Sequence, residues 1–476
     1  MGISTGEQYL KRINQLKTNI LLDGSRITGN ISDHPAFKGV MASQAKLYDL
    51  QHQVALKEIM TFVSATSGNR AGTSFLEPKT KEDLEKRRLM IQVWAKGHKG
   101  MMGRSPDYMN TILMVLNAAA DLFAAEDEKC AEHIRNYYEY VKENDLSLTH
   151  VFVSPQKDRS SKGGEDIAAR MVKKTADGIL INGSRVLATQ AGMTDEILVY
   201  PVPSNTEDEA FSYAFAIPCD TPGLTFVCRE SFAYQGSHYD HPLGSQFDEM
   251  DAIVLFDNVL VPWERVFLHG SPIVKNLLYS RSRMFEHTAH QVVSKNVIKT
   301  EFIMGIIQLI IDGINIGEYQ HIREKFSEVA VALEVMKGLL YQSEKNAKIN
   351  QWGTMTPDAN PLLAAVNYYP RIYPRFIEII QLISASGLVA IPSEKDFNSD
   401  YKDVLNHHLQ SASLEGYERV KLFRLAWDLS MSAFGSRQKL YERFFFGDPV
   451  RLADQLYSRY DRGESIEMVK NFLAGK

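Results

Sequence analysis

The stretch Met101-Met-Gly-Arg104-Ser-Pro-Asp-Tyr108-Met-Asn110 sets an arginine and a tyrosine four residues apart around a candidate helix start. Ser105 suits an N-cap, Pro106 the first helical position and Asp107 an acid in the first turn, so the spacing predicts a helix beginning here. Arg104 then falls just outside the helix and Tyr108 in its first turn. A guanidinium and a phenol can share one space there, beside the positive end of the helix dipole. Such a corner suits an anion or a phenolate. The same spacing also serves an ordinary helix start with a solvated arginine and a core tyrosine.

A second segment runs Leu148-Thr-His150-Val-Phe-Val-Ser154-Pro-Gln156-Lys-Asp158-Arg159-Ser160. An apolar stretch carrying one histidine ends in Pro155 and a polar turn, which can put His150 in a pocket beside a run of backbone N–H groups. Histidine is the side chain most easily tuned for proton work near neutrality. A satisfied core histidine followed by a surface loop has the same pattern. Val186-Leu-Ala-Thr189-Gln-Ala-Gly192 ends a predicted strand, where a small hydroxyl followed by Ala and Gly lets a flat ring approach the backbone. The bland alternative is a strand that simply ends. Phe434-Gly-Ser436-Arg437-Gln438 and Gly447-Asp448-Pro-Val-Arg451 place arginines after glycines, a fair pyrophosphate holder or equally a helix-ending loop with solvated arginines.

Several familiar sites are missing from the 476 residues: no GxGxxG follows a predicted strand, and GxxxxGK[ST], CxxC and HExxH do not occur. Cys130, Cys219 and Cys228 are three sparse cysteines without zinc-finger spacing. They fit a reducing compartment, with the cytoplasm as default, and no metal is expected. The N-terminus has neither a basic start nor an apolar core, so no secretory signal is read there. The most apolar run, 302–311, is about half a bilayer span. With 53 basic and 58 acidic residues and no Lys/Arg block of five or more, the chain has a net charge of −5 and no nucleic-acid footprint. Small molecules and other subunits are the expected partners.

Apolar residues recur at helical spacing from residue 6 to about 144, and again from 272 onward through 302–316, 328–348, 361–386 and 413–434. Between about 148 and 267 alternation takes over. Asp177-Gly178 and Asn182-Gly183 supply positive-φ dipeptides for a meander over 172–189, and further strands are expected at 197–202, 212–217, 224–228 and 252–260. The expectation is an α+β chain, mainly α: a helical domain over 1–147, a small barrel or sandwich over 148–271 and a helical bundle with a tail over 272–476.

In this order, Gly103-Arg-Ser-Pro-Asp-Tyr108, Thr149-His150 to Ser160, Val186-Leu-Ala-Thr189, Phe247-Asp-Glu-x-Asp-Ala-Ile253, Phe256-Asp-Asn-Val-Leu-Val-Pro-Trp-Glu264 and Phe434-Gly-Ser-Arg-Gln-x-Leu-Tyr-Glu-Arg443 resemble the oxygenase component of two-component flavin-dependent phenol hydroxylases, the 4-hydroxyphenylacetate 3-monooxygenase family. The likeness runs nearly end to end. The family shares the acyl-CoA dehydrogenase-like architecture, with an N-terminal helical domain, a central β-barrel, a C-terminal four-helix bundle and a tetrameric assembly. The resemblance implies that FAD arrives as FADH2 from a separate NAD(P)H:flavin reductase, reacts with O2 to a C4a-hydroperoxide and hydroxylates a phenol to a catechol.

The resemblance also implies roles. Arg104 favours phenolate character, while Tyr108 and His150 hydrogen-bond the phenolic oxygen, with His150 the proton acceptor. Ser204 and Asn205, in a loop near the pocket, offer substrate contacts but no cation for a carboxylate, so 4-hydroxyphenylacetate is the family default. His150, Ser154, Gln156, Asp158, Arg159, Ser160 and Thr189 face the isoalloxazine and ribityl portions. Ser436, Arg437, Gln438, Asp448 and Arg451 face the pyrophosphate or adenine, a contact that can also cross a subunit boundary. The similar 4-hydroxybutyryl-CoA dehydratases need three cysteines and a histidine for an iron–sulfur cluster, and the N-terminal region here has only Cys130. A non-catalytic or acyl-CoA-dehydrogenase-like flavin-binding subunit is the alternative to an enzyme.

Overall fold

A computed structural model describes residues 2–125, 127–157, 167–201, 207–233 and 237–475. Asp158, Arg159, Ser160, Ser204 and Asn205 lie outside the described residues. The first helix, Gly6–Gln15, begins at a capping box in which Thr5 and Gln8 satisfy each other's backbone N–H groups. Its Tyr9 stacks on Tyr48 of the helix Pro35–Leu50, with ring centroids 5.3 Å apart. Three longer helices follow: Lys81–Gly97, Pro106–Ala118 and Glu128–Asn144. Pro106–Ala118 starts at Ser105 with Pro106 in its first turn, as the spacing predicts, although the Ser105 hydroxyl makes no capping bond to the backbone.

The alternating region forms two sheets around one apolar core. In the larger, the order is Ser25–Arg26, Ile20–Leu22, Leu224–Cys228, Asp251–Pro262, Gly178–Thr189, Arg170–Lys174. In the smaller it is Val266–His269, Tyr213–Pro218, Glu196–Val199, Leu148–Val151. Val254, Phe256, Val259 and Val261 meet Ile197, Val199, Phe215 and Ile217 in the shared interior. A bridge between Val153 and Val186 joins the two sheets at one corner. Two strands of the larger sheet come from the N-terminal segment, which ties the first module to the second.

The expected meander over 172–189 is instead one hairpin feeding a 12-residue strand. Its turn uses Asp177-Gly178, where the Thr175 N–H bonds the Gly178 carbonyl at 2.8 Å. Asn182-Gly183 makes no turn. It lies inside the strand, and a Cβ at Gly183 would sit 2.6 Å from the Ala168 carbonyl oxygen, so this glycine admits a neighbouring segment.

Helices Met284–Gly313, Gln320–Lys345, Ala359–Ser384 and Gly416–Ser430 form the bundle around Ile307, Leu333, Met336, Tyr369, Phe376 and Leu429. Met284–Gly313 has 30 residues and so spans about 45 Å. Its first half packs on Lys81–Gly97 and Pro106–Ala118, so one helix belongs to both helical modules. After Gly416–Ser430 the chain breaks at Ser432 and re-enters a helix, Ala433–Phe444, followed by Pro449–Arg459 and Gly463–Leu473.

Candidate functional site

The break before Pro106 brings Arg104 into the interior, where it is 8% exposed. Its backbone N–H and that of Gly103 both donate to the Glu249 carboxylate, at 2.7 and 2.6 Å. The guanidinium lies between two rings, its carbon 4.2 Å from the Tyr108 centroid and 4.1 Å from that of Phe445. Its Nη1 donates to the Tyr441 hydroxyl at 2.7 Å. Among the described residues no carboxylate lies against the guanidinium, which is buried on ring faces, a phenol and the Gly103 carbonyl. Its Nε is buried with no hydrogen-bond partner, one donor aimed at whatever fills the corner. Gly103 is needed for this packing, because a Cβ there would lie 2.1 Å from the Tyr441 oxygen.

His150 sits on the strand Leu148–Val151, paired in parallel with Glu196–Val199. Its ring is 5.9 Å from that of Tyr108 and lies nearly parallel to those of Phe152, at 5.2 Å, and Tyr200, at 5.9 Å, which are 5.4 Å from each other. Burial, then the Arg104 charge, drives its pKa well below the ordinary imidazole range, so the ring is neutral. Its Nδ1 is buried and has no partner. Burial also raises Tyr108 above its ordinary value against the pull of Arg104, so its phenol keeps its proton. The three residues singled out by type and spacing thus meet in one aromatic-walled corner.

The remaining candidates are more dispersed. The Thr189 hydroxyl donates to Asp251 at 2.8 Å, while its carbonyl accepts from Thr149 at 2.6 Å. Ser154 accepts from Arg185 at 2.7 Å, and Gln156 is exposed. Arg437 is not a solvated loop arginine: its Nε and Nη2 donate to Asp251 at 3.0 and 2.7 Å, and its Nη1 lies 3.6 Å from Glu249. Burial alone would push Asp251 up, but Arg437 and Arg229 outweigh it and hold the carboxylate well below its usual range. Gln438 is buried, accepting from Lys299 at 2.7 Å and donating to the Met101 carbonyl at 2.8 Å. Ser436 is exposed in the first turns of Ala433–Phe444. Gly435 lies in that first turn too, with its N–H on the Ser432 hydroxyl. A Cβ at Gly435 would lie 2.3 Å from the Leu429 carbonyl oxygen, so this glycine serves close helix packing rather than an open loop. Asp448 caps Pro449–Arg459, and Arg451 is exposed in its first turn.

Four participants carry no functional signal in local spacing. Glu249 and Asp251 stand in the acid-rich stretch Asp248-Glu-Met-Asp251, whose crowding of carboxylates before a strand is the available sign. Tyr441 and Phe445 are an ordinary i, i+4 pair on a late helix, and nothing local points them at Arg104.

Along the chain the order is helices, then sheets, then a bundle. Residues 5–268 match the family described as 4-hydroxyphenylacetate 3-hydroxylase N terminal, and residues 275–474 match its C-terminal counterpart. The chain belongs to the 4-hydroxyphenylacetate 3-hydroxylase family. The 4-hydroxyphenylacetate 3-monooxygenase oxygenase component of Geobacillus sp. (strain PA-9) is 46% identical over 100% of this chain and 97% of that protein. A crystal structure of such an oxygenase component complexed with FAD and 4-hydroxyphenylacetate superposes with a TM-score of 0.94 at 43% identity, covering 99% of this chain and 98% of the other. An archaeal 4-hydroxybutyryl-CoA dehydratase from N. maritimus shares the fold, at a TM-score of 0.89 and 19% identity over 99% and 95% of the chains.

Proposed function

We propose that this chain is the oxygenase component of a two-component monooxygenase, using FADH2 from a separate NAD(P)H:flavin reductase to hydroxylate a 4-substituted phenol ortho to its hydroxyl. 4-Hydroxyphenylacetate is the default substrate and a catechol the product. The observation that carries this reading is the corner itself: among the described residues, a buried guanidinium with no carboxylate partner stands beside a neutral imidazole whose Nδ1 makes no hydrogen bond. A phenolic hydroxyl supplies what both lack. His150 takes or shares the phenolic proton, Tyr108 donates to the phenolic oxygen, and Arg104 lowers the energy of the resulting negative charge. Electron density at the ortho carbon rises accordingly.

Reduced FAD, when bound, supplies the activation of O2. The residue chemistry fits such a group: Thr189 ends a strand with its hydroxyl held by Asp251, and Ser154 and Gln156 precede Asp158, Arg159 and Ser160 after the His150 strand. Phe152, Tyr200, Phe445 and Tyr108 keep water from the reacting atoms. Ser436, Asp448 and Arg451, exposed around the C-terminal helices, are the proposed diphosphate and adenine contacts, and Arg437 and Gln438 support that side from within. Ser204 and Asn205 are the proposed contacts for the far end of the phenol.

A homotetramer is the proposed assembly, supported by the exposed Ile466, Val469, Phe472 and Leu473 of Gly463–Leu473. Among the described residues no helix is long and apolar enough to cross a membrane. A cytoplasmic location is proposed from the three sparse cysteines. The test is direct: chemically reduced FAD and a panel of 4-substituted phenols are mixed with the protein and air is admitted. Catechol should form, and return of every phenol unchanged would reduce the chain to a flavin-binding subunit.

A further inference from the structure

We infer that Glu249, Arg437 and Asp251 act as one positioning strut that sets the substrate corner at a fixed distance from the cofactor edge; this rests on the functional reading above. Glu249 receives the backbone N–H groups of both Gly103 and Arg104, so it fixes where the Arg104 side chain emerges. Two residues later, Asp251 receives the hydroxyl of Thr189, the residue proposed to face the flavin. Arg437 spans the two carboxylates, with two hydrogen bonds to Asp251 and an ion pair with Glu249. Gln190, next to Thr189, closes the loop: its N–H bonds the Glu249 and Met250 carbonyls at 2.8 and 2.9 Å, and its side-chain amide reaches Glu249 at 3.3 Å.

The backbone is strained on both sides of this frame. Gln190 and Met250 have φ of +65° and +39°, a region that non-glycine residues hold only where their surroundings over-determine it. The surroundings here are the charged frame, which binds Gln190 at Glu249 and Met250. Burying two carboxylates and a guanidinium is a poor way to gain stability alone, since an apolar replacement of similar shape is often as stable. What the frame supplies is registration between two groups that must meet in one reaction.

The strut is a set of positioning residues and is tested by partition of effects. Glu249→Gln, Asp251→Asn and Arg437→Ala are compared for reduced-FAD affinity measured anaerobically, for the near-UV difference spectrum of phenol bound beside reduced FAD, and for catechol formed per FADH2 oxidised. Misplacement by about 1 Å can lower a rate on the order of 100-fold. Glu249→Gln should therefore weaken phenol binding and catechol yield at least about tenfold while reduced-FAD affinity stays within about twofold. Asp251→Asn should weaken reduced-FAD affinity first, and Arg437→Ala should move both. A uniform loss in all three variants that tracks melting temperature, or phenol binding unchanged in Glu249→Gln, would overturn the strut. Failure of the wild-type protein to make catechol bears on the functional reading instead, since the flavin and phenol affinities are measured without turnover.

Discussion

Arg104 and Tyr441 stand 337 positions apart in the chain and share a 2.7 Å hydrogen bond at the floor of the candidate site. The phenol accepts from the guanidinium, and burial holds the Tyr441 pKa far above the ordinary range, so the bond is one of a cation to a neutral oxygen. Tyr441→Phe leaves Nη1 with the Gly103 carbonyl at 3.2 Å as its remaining acceptor, and the lost hydrogen bond costs about 1–3 kcal/mol. Thermal melts should register that loss, and the freed guanidinium should raise the peroxide released per catechol formed. Equal melting and equal coupling in the variant would remove Tyr441 from the site.

Gly103→Ala should imitate that variant by a different route. The added methyl group would lie 2.1 Å from the Tyr441 oxygen, so the ring must move off Arg104. Overpacking of this kind costs about 1–3 kcal/mol. The double variant Gly103→Ala/Tyr441→Phe should show less than the sum of the single effects on coupling, because both disturb one contact. Additive losses would mean the two act separately.

His150→Ala should still bind reduced FAD, with catechol formation lowered about 10²–10⁴-fold and oxygen diverted to H2O2. A catechol yield equal to wild type removes His150 from the chemistry.

Acidification should destabilise the protein from about pH 6.5 downward. His98, His150 and His287 are buried with depressed pKa values, His98 down to about 3, mainly through burial. The unfolded chain takes up these protons near the ordinary histidine value while the folded chain does not, so each group removes up to about 1.4 kcal/mol per pH unit as pH falls toward its folded value. Asp107, raised by burial to about 6, acts in the opposite sense between about pH 4 and 6, since its folded form binds the proton first. Asp145, Glu196 and Asp428, also raised by burial, act with Asp107, while the lowered His241 and the carboxylates Asp251, Glu344 and Glu442, held below their ordinary range by their partners, add to the loss. Melting temperatures at pH 7.5 and 5.0 should differ clearly, and a flat profile would contradict the neutral buried state of these rings.

Much of the corner was legible because its chemistry is local: a serine at the N-cap position, a proline and a four-residue spacing put Arg104 and Tyr108 together, and an apolar strand shortly before Pro155 carried His150. Strand and helix positions followed alternation and helical period for the same reason. Two dipeptide signals misled. Gly183 and Gly435 have the residue type of turns and loops, yet each is a place where another backbone comes close, and only the packed chain reveals that neighbour. The first half of Met284–Gly313 escaped the periodicity because its buried face is polar, with His287, His290, Gln291, Lys295 and Lys299 all enclosed. The strut escaped because its meaning lies in partners 62, 145 and 186 positions away. A carboxylate read alone does not say whose amide it will hold.

The late position of Ala433–Phe444 has a consequence for how the molecule is made. Arg104, Tyr108 and His150 leave the ribosome early, but the phenol and ring that close over the guanidinium belong to residues 441 and 445. The guanidinium is therefore covered only once residues 441 and 445 have folded back onto the first helical module.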